Sequence, residues 1–350
     1  MTDLDQRISS VLRERAEGEI DTHRLLNRSR ARGRRRQLRR RAVTGGALAL
    51  VGVLGVVGVT GTGITGLPGR PPWTAATPAV AAPVPPRADG APGAAQRPDL
   101  VGTDPQVLHL GVDPAKGRYL GWEVNGLQIE SVRFDPGGGR AVTVEVARSA
   151  AAFDDVGIEG WSVDALPEAT FDGTIQRVAL NDGSPGYVTW WRPATGLYAR
   201  ASMRATDPFA LSGAIEAVRW DEARRCGGPL RLTALPAGAR VRSCSVDVAS
   251  YPRLITVQFV IRRGSDQSMT VRYRYATETA GNRTEGNRTI DGRPAYLSPL
   301  GESLELLGLP PKTTVAAEFW PESTGLTEAD AAVVLAGARV AESATDPETW

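Results

Sequence analysis

Trp190 and Trp191 stand side by side in YVTWWRPATGLY, with Arg192 and Tyr198 close behind. Adjacent residues of a strand face opposite sides, so one indole enters a core while the other faces out or meets a neighbouring unit. An exposed indole beside a guanidinium and a phenol makes a binding surface for sugar or peptide; burial of both indoles leaves only packing. Carboxylates gather at Asp154, Asp155, Asp164, Glu168 and Asp172. A paired-acid hydrolase or a calcium site needs such oxygens to converge in space, whereas a solvated acidic loop needs nothing of the kind. Histidine is confined to His23 and His109. His109 alternates with apolar neighbours in QVLHLGV and reads as the end of a strand. The chain contains no Gly-x-Ser-x-Gly elbow and no Gly-x-x-x-x-Gly-Lys phosphate loop. The expectation is therefore no catalytic residue, no cofactor and no metal.

The two cysteines, Cys226 and Cys244, are the remaining reactive groups. An even count in an oxidising compartment points to a disulfide, and closing that loop stabilises by about 3 kcal/mol in the chain-entropy model. Two buried free thiols are the alternative.

These side chains need a scaffold, and from about residue 106 the sequence reads as strands. YLGWEVNGLQIESVRF carries Asn125-Gly126 between alternating runs, the signature of a two-residue hairpin. DPGGGR makes the next turn, and AVTVEVARS follows with valines on one face. TIQRVAL, GYVTWWR and GLYARASM are further strands. Asp207-Pro208 opens a helix whose inner face takes Phe209, Ile215 and Val218. The order then recurs: ARVRSCSVDV, RLITVQFVIRR, SMTVRYRYATE, TIDGRPAYL and TTVAAEF as strands, and LTEADAAVVLAGARV as a helix capped by Thr327 with Asp330 three residues on. Asp182-Gly183-x-Pro185-x-Tyr187 matches Asp291-Gly292-x-Pro294-x-Tyr296, a tight Asp-Gly turn leading into a strand. The expected organisation is a first α+β unit at 106–225, a second at 226–342 and a tail at 343–350.

The N-terminal part differs in kind. The formal charge of +2 hides a basic arm, 1–41, with ten arginines between Arg24 and Arg41. No charge follows until Arg70. Residues 42–66 make about 37 Å of helix against a hydrocarbon core of about 30 Å, so this segment reads as a transmembrane helix. Arg34, Arg35, Arg36, Arg39, Arg40 and Arg41 contact anionic lipid on the inner side, which places the N-terminus in the cytoplasm and the rest outside. A cleaved signal peptide is the alternative. The arm lacks any aromatic residue for base stacking, so no specific nucleic-acid binding is expected. Residues 67–105 are rich in proline and alanine and read as an extracytoplasmic tether. The expected fold class is α+β: a cytoplasmic helix, one membrane span, a Pro/Ala-rich linker, then tandem antiparallel-sheet-plus-helix units.

The DGxPxY pattern followed by strands and a helix, and the opening MTDLDQRISSVLRERAEGEIDTHRLL with RGRRR, resemble actinobacterial single-pass membrane proteins. Those carry extracytoplasmic α+β domains of unknown function, some associated with anti-sigma factors or the envelope. The resemblance covers this general layout; with the expected membrane anchor, the expected function is a membrane-anchored binding or interaction protein with an unidentified envelope partner or ligand, sensory or regulatory in role. The resemblance brings no catalytic residues. An extracytoplasmic acid-dependent hydrolase is the competing expectation.

Overall fold

The computed structural model describes residues 82–154, 171–180, 182–319 and 325–350. The expected membrane helix at 42–66 and the basic arm lie outside the described residues. Among the described residues no helix is long and apolar enough to cross a membrane. Residues Ala76–Trp350 form one compact unit, and its described part is mostly β.

In chain order its elements begin with β1 (Val107–Leu108), β2 (Gly111–Val112), β3 (Arg118–Val124), β4 (Glu130–Asp135) and β5 (Val142–Ala147). β6 (Ile175–Ala179), β7 (Pro185–Trp191), β8 (Tyr198–Arg204), helix α1 (Phe209–Ala217) and β9 (Val218–Arg219) complete the first half. The second half holds β10 (Arg224–Arg225), β11 (Leu230–Leu232), β12 (Ala239–Asp247), β13 (Leu254–Arg263) and β14 (Gln267–Ala276). β15 (Arg288–Ile290), β16 (Arg293–Leu297), β17 (Ser303–Leu306), β18 (Thr313–Glu318), α2 (Glu328–Ala336) and β19 (Ala338–Val340) follow.

The two antiparallel sheets expected from the sequence are one. Among the described residues, thirteen strands run in the order β15-β16-β17-β18-β14-β13-β12-β3-β4-β5-β8-β7-β6. The join is β12 against β3, antiparallel from Cys244↔Val124 to Asp247↔Gly121. Either side of that join the chain takes the same route. Three strands form a meander (β3-β4-β5 or β12-β13-β14), later strands return to the third, and a helix follows the returning strand. A short ladder completes each half, β2 with β9 and β11 with β19. Among the described residues the second half carries one more strand at its edge. Asp182-Gly183 joins β6 to β7, and Asp291-Gly292 joins β15 to β16. β7 borders β8, whereas β16 is separated from β18 by β17. The two Asp-Gly turns therefore occupy positions one strand apart in the two halves.

The strands form because alternate residues face different media. In β13, Ile255, Val257, Phe259 and Ile261 are buried while their neighbours are half-buried. The apolar face of the sheet carries one core cluster that spans both halves, from Ala94 to Trp350. α1 covers it with Leu211, Ala214 and Ala217, and α2 with Ala331, Val334 and Leu335. The capping box of α2 is present, Thr327 accepting from the Asp330 N–H and Asp330 accepting in return.

Three local expectations change. Phe209, expected on the inner face of α1, is 88% exposed, because the buried stripe runs through Leu211, Ala214 and Ala217. The β3–β4 loop is longer than the two residues that Asn125-Gly126 implies. The Asn125 side-chain carbonyl accepts from the Leu127 and Ile129 N–H groups, and Gln128 takes the left-handed position at φ 67°. The later part of the expected linker is no free tether. Ala94 and Val101 are fully buried, and Arg225 N–H donates to Pro86 O (2.7 Å) and Ala95 N–H to Trp220 O (2.8 Å). A proline-rich segment that lacks its own ladder satisfies its backbone on a neighbour's edge. The tail is packed as well: Tyr251 O–H donates to Thr345 O, and Arg225 to Trp350 O.

Candidate functional site

Opposite the helices, the middle of the sheet presents a largely polar face, which gives way at β7 to the buried Val188 and Trp190. It carries a trough of about 860 Å³, lined by residues of β3, β4, β5, β8, β12, β13 and β14. Pairing register fixes which side chains share it. One row runs Arg200, Glu145, Ser131, Glu123, Ser245, Gln258, Arg272, each directly opposite the next on the neighbouring strand. The adjacent row runs Ser202, Thr143, Arg133, Gly121, Asp247, Thr256. Seven strands at about 4.8 Å spacing make a row about 29 Å long. Gly121 lets the two halves meet here: a Cβ on it would stand 2.7 Å from the Val246 carbonyl oxygen, a backbone atom that cannot swing aside.

The charges of the trough are largely matched. Arg133 Nη2 lies 2.8 Å from Asp247 Oδ2, Arg204 Nη1 2.9 Å from Asp182 Oδ2, and Arg272 Nη1 2.5 Å from Glu318 Oε1. Arg200 is 1% exposed; its Nε donates to Glu145 Oε2 at 2.6 Å, and its guanidinium stacks on Phe153. Glu123 is the exception. Its half-buried carboxylate has no hydrogen-bond or ion-pair partner among the described residues. Burial, and then the negative charge of Glu145, push its pKa up from the ordinary carboxylate range. Asp182, at the rim, is held down to about 2 by the Ser184 hydroxyl, then the Ser184 N–H and Arg204.

Behind the floor lies the disulfide that the cysteine count implies. Cys226 and Cys244 are bonded, 18 residues apart in sequence with Cα atoms 6.2 Å apart. Cys244 precedes Ser245 on β12 and points to the apolar side, and Trp122 Nε1–H donates to Cys226 O at 2.6 Å. Each strand of the join thus carries a packed side chain on one face and a trough residue on the other.

Trp190 is 2% exposed and packs with Leu180 and Val188. Trp191 is half-buried on the opposite face, its ring 6.4 Å from that of Trp220. Arg192 stacks over Tyr198 at 5.2 Å. These four residues do not share one surface. Tyr187 donates to Thr206 O, and Tyr296 lies under the Arg283 guanidinium at 3.6 Å. Asp291 and Gly292 both have positive φ, as a two-residue hairpin turn requires; Pro185 starts β7 and Pro294 is the second residue of β16. Asp154 and Asp172 are exposed, while Asp155, Asp164 and Glu168 lie outside the described residues. His109 is 3% exposed, with Nδ1 2.7 Å from Glu130 Oε1. Among the described residues no three His, Cys, Asp or Glu side chains cluster to hold a metal.

Sequence reasoning passed over Glu123. Its segment reads as a strand, but nothing local separates this glutamate from the other acids of the chain. The signal is the pairing of β3 with β12, a contact between residues about 120 positions apart in sequence. No family model matches the chain, and no curated protein matches it.

Proposed function

We propose that this chain is a membrane-anchored extracytoplasmic binding protein whose trough holds an extended polar ligand. One observation carries the reading: a cavity of about 860 Å³ built across the join of the two halves, its side chains held on strands rather than loops. Sites on rigid elements are pre-organised and lose little entropy on binding. The likeness of the two routes through the sheet supports a duplicated α+β unit, with the site at the junction between copies. The disulfide supports an oxidising compartment, and hence the topology in which 42–66 spans the bilayer, the arginines at 34–41 meet anionic lipid inside and the compact unit lies outside.

Glu123 and Glu145 face each other across Ser131, which is the observation favouring an acid-dependent hydrolase. Glu145 is occupied by Arg200, however, which leaves Glu123 without a second free carboxylate. Binding is the better reading.

The test places a photo-crosslinking residue at Thr256, inside the trough, in the full chain in its own membranes. A discrete adduct is expected there and not at the exposed control position Phe209. Equal labelling at both positions, or none at Thr256, overturns the trough as a binding site.

A further inference from the structure

We infer that Glu123 is the recognition carboxylate of the trough, and that the ligand is an extended polar peptide seating a lysine or arginine side chain on it. This inference rests on the trough being the binding site. Its ground is the charge arrangement. The Arg133–Asp247, Arg204–Asp182, Arg272–Glu318 and Arg200–Glu145 pairs each cancel within the protein. Among the described charged residues that line the trough, Glu123 alone is left without a partner; Arg274, next to Thr256 at the end of the adjacent row, is a cation outside that lining.

A carboxylate removed from water without a partner is costly, and a bound cation relieves that cost. The groups around Glu123 are arranged to accept one. Ser131 and Ser245 flank it in its row, offering hydroxyls that donate or accept. Glu145 lies beyond Ser131, its charge answered by Arg200 on the far side. Gln258 lies beyond Ser245, and Arg133, on the adjacent row, is already held by Asp247. Burial and the Glu145 charge raise the proton affinity of Glu123 in the free protein. A bound ammonium or guanidinium would favour the ionised carboxylate and oppose that shift.

Shape and surface chemistry favour a peptide over a glycan. An extended chain rising about 3.4 Å per residue fits about eight residues into the length of the row. Hydroxyl and amide side chains along both rows match the alternating N–H and C=O groups of such a chain. The one aromatic residue among the described lining residues is Trp122, and its indole is engaged with Cys226 O behind the floor. Among the described lining residues no ring is therefore presented to stack on a sugar.

The test uses the full chain in detergent and a labelled octapeptide of alternating lysine and serine, read by fluorescence anisotropy. The comparison probes are its Nε-acetylated form and a chitin tetrasaccharide. The lysine peptide is expected to bind at least tenfold more tightly than the acetylated form. Glu123→Gln, near-isosteric and uncharged, is expected to lose at least tenfold. Glu216→Gln removes an exposed carboxylate elsewhere and is expected to change nothing. Affinity for the native chain should fall as pH is lowered from 7 to 4, and the Gln variant should show no such slope. Equal binding of the acetylated peptide, equal loss in Glu216→Gln, or an unaffected Glu123→Gln overturns the cation assignment. Ser245→Phe fills the trough beside Glu123 and separates the two levels of failure. A tetrasaccharide that binds, is blocked by Ser245→Phe and ignores Glu123→Gln leaves the trough standing and removes the peptide. Probes that all ignore Ser245→Phe remove the trough itself.

Discussion

Glu123 and Glu130 lie seven residues apart on paired strands, and the sheet treats them in opposite ways. Glu130, opposite Val124, points to the apolar side and is fully buried. Its Oε1 accepts from the Gly102 N–H at 2.7 Å and lies 2.7 Å from His109 Nδ1, while Oε2 accepts from the His109 N–H. Glu123, one residue before Val124, points to the trough and has no such partners among the described residues. The fold can supply a carboxylate with backbone donors and an imidazole where the surroundings are closed. Where the face is open, it leaves one without. The contrast assigns Glu130 to the scaffold and Glu123 to whatever enters the trough.

Removing the satisfied member should cost most. Glu130→Ala strands the Gly102 and His109 N–H groups in a dry site and opens a cavity. We expect a loss of about 3–5 kcal/mol, measured by urea unfolding of the full chain. A loss below about 1 kcal/mol would erase the distinction between the two glutamates.

The disulfide comes next, since it ties the segment after β10 to β12 directly behind Glu123. Replacing both cysteines, Cys226→Ser with Cys244→Ser, should cost about 3 kcal/mol by loop-closure entropy. In the native chain taken from its own membranes, alkylation after denaturation without reductant should label no thiol. Labelling of both would place the compact unit in a reducing compartment and overturn the topology proposed above.

Much of this architecture was legible in the sequence, and the limits follow from its physics. The alternation in β13 and the caps at Thr327 and Asp330 are local, so periodicity and spacing recover them. The cysteine pair is recovered from its even count. Asn125-Gly126 misleads because a side-chain amide competes with the backbone for the turn, which the dipeptide alone does not reveal. Phe209 misleads because one residue decides little about which side of a short helix is buried. The trough is the least legible feature. Its members alternate with core residues and come from seven strands, and register over more than 100 residues brings them together. The Asp-Gly match drew attention to repetition, although the repeated pairing order places those two turns in non-equivalent hairpins.

Gly121 tests the join itself. Gly121→Ala puts a methyl group 2.7 Å from the Val246 carbonyl, so β3 and β12 must move apart along the floor of the trough. The expected cost is about 1–3 kcal/mol, with loss of probe binding at temperatures where the variant remains folded. Full stability with full binding would show that the two halves are not held in register at this point.

The smallest effect has the opposite sign. Burial, followed by the Glu145 charge, raises the Glu123 pKa in the folded chain above its unfolded value. Between those two values the folded state holds more protons than the unfolded state, so stability falls as pH rises through that window. Glutamine has no charge to desolvate. Glu123→Gln should therefore melt higher than the native chain at pH 7, by about 1–2 °C, and the difference should vanish near pH 3.5, below the ordinary glutamate pKa. The same substitution is expected to weaken cation binding at least tenfold, so one side chain would weaken the fold and make the site. A lower melting temperature at pH 7 would mean that Glu123 is held by its surroundings as Glu130 is, and the opposition between the two faces would fail at its central residue.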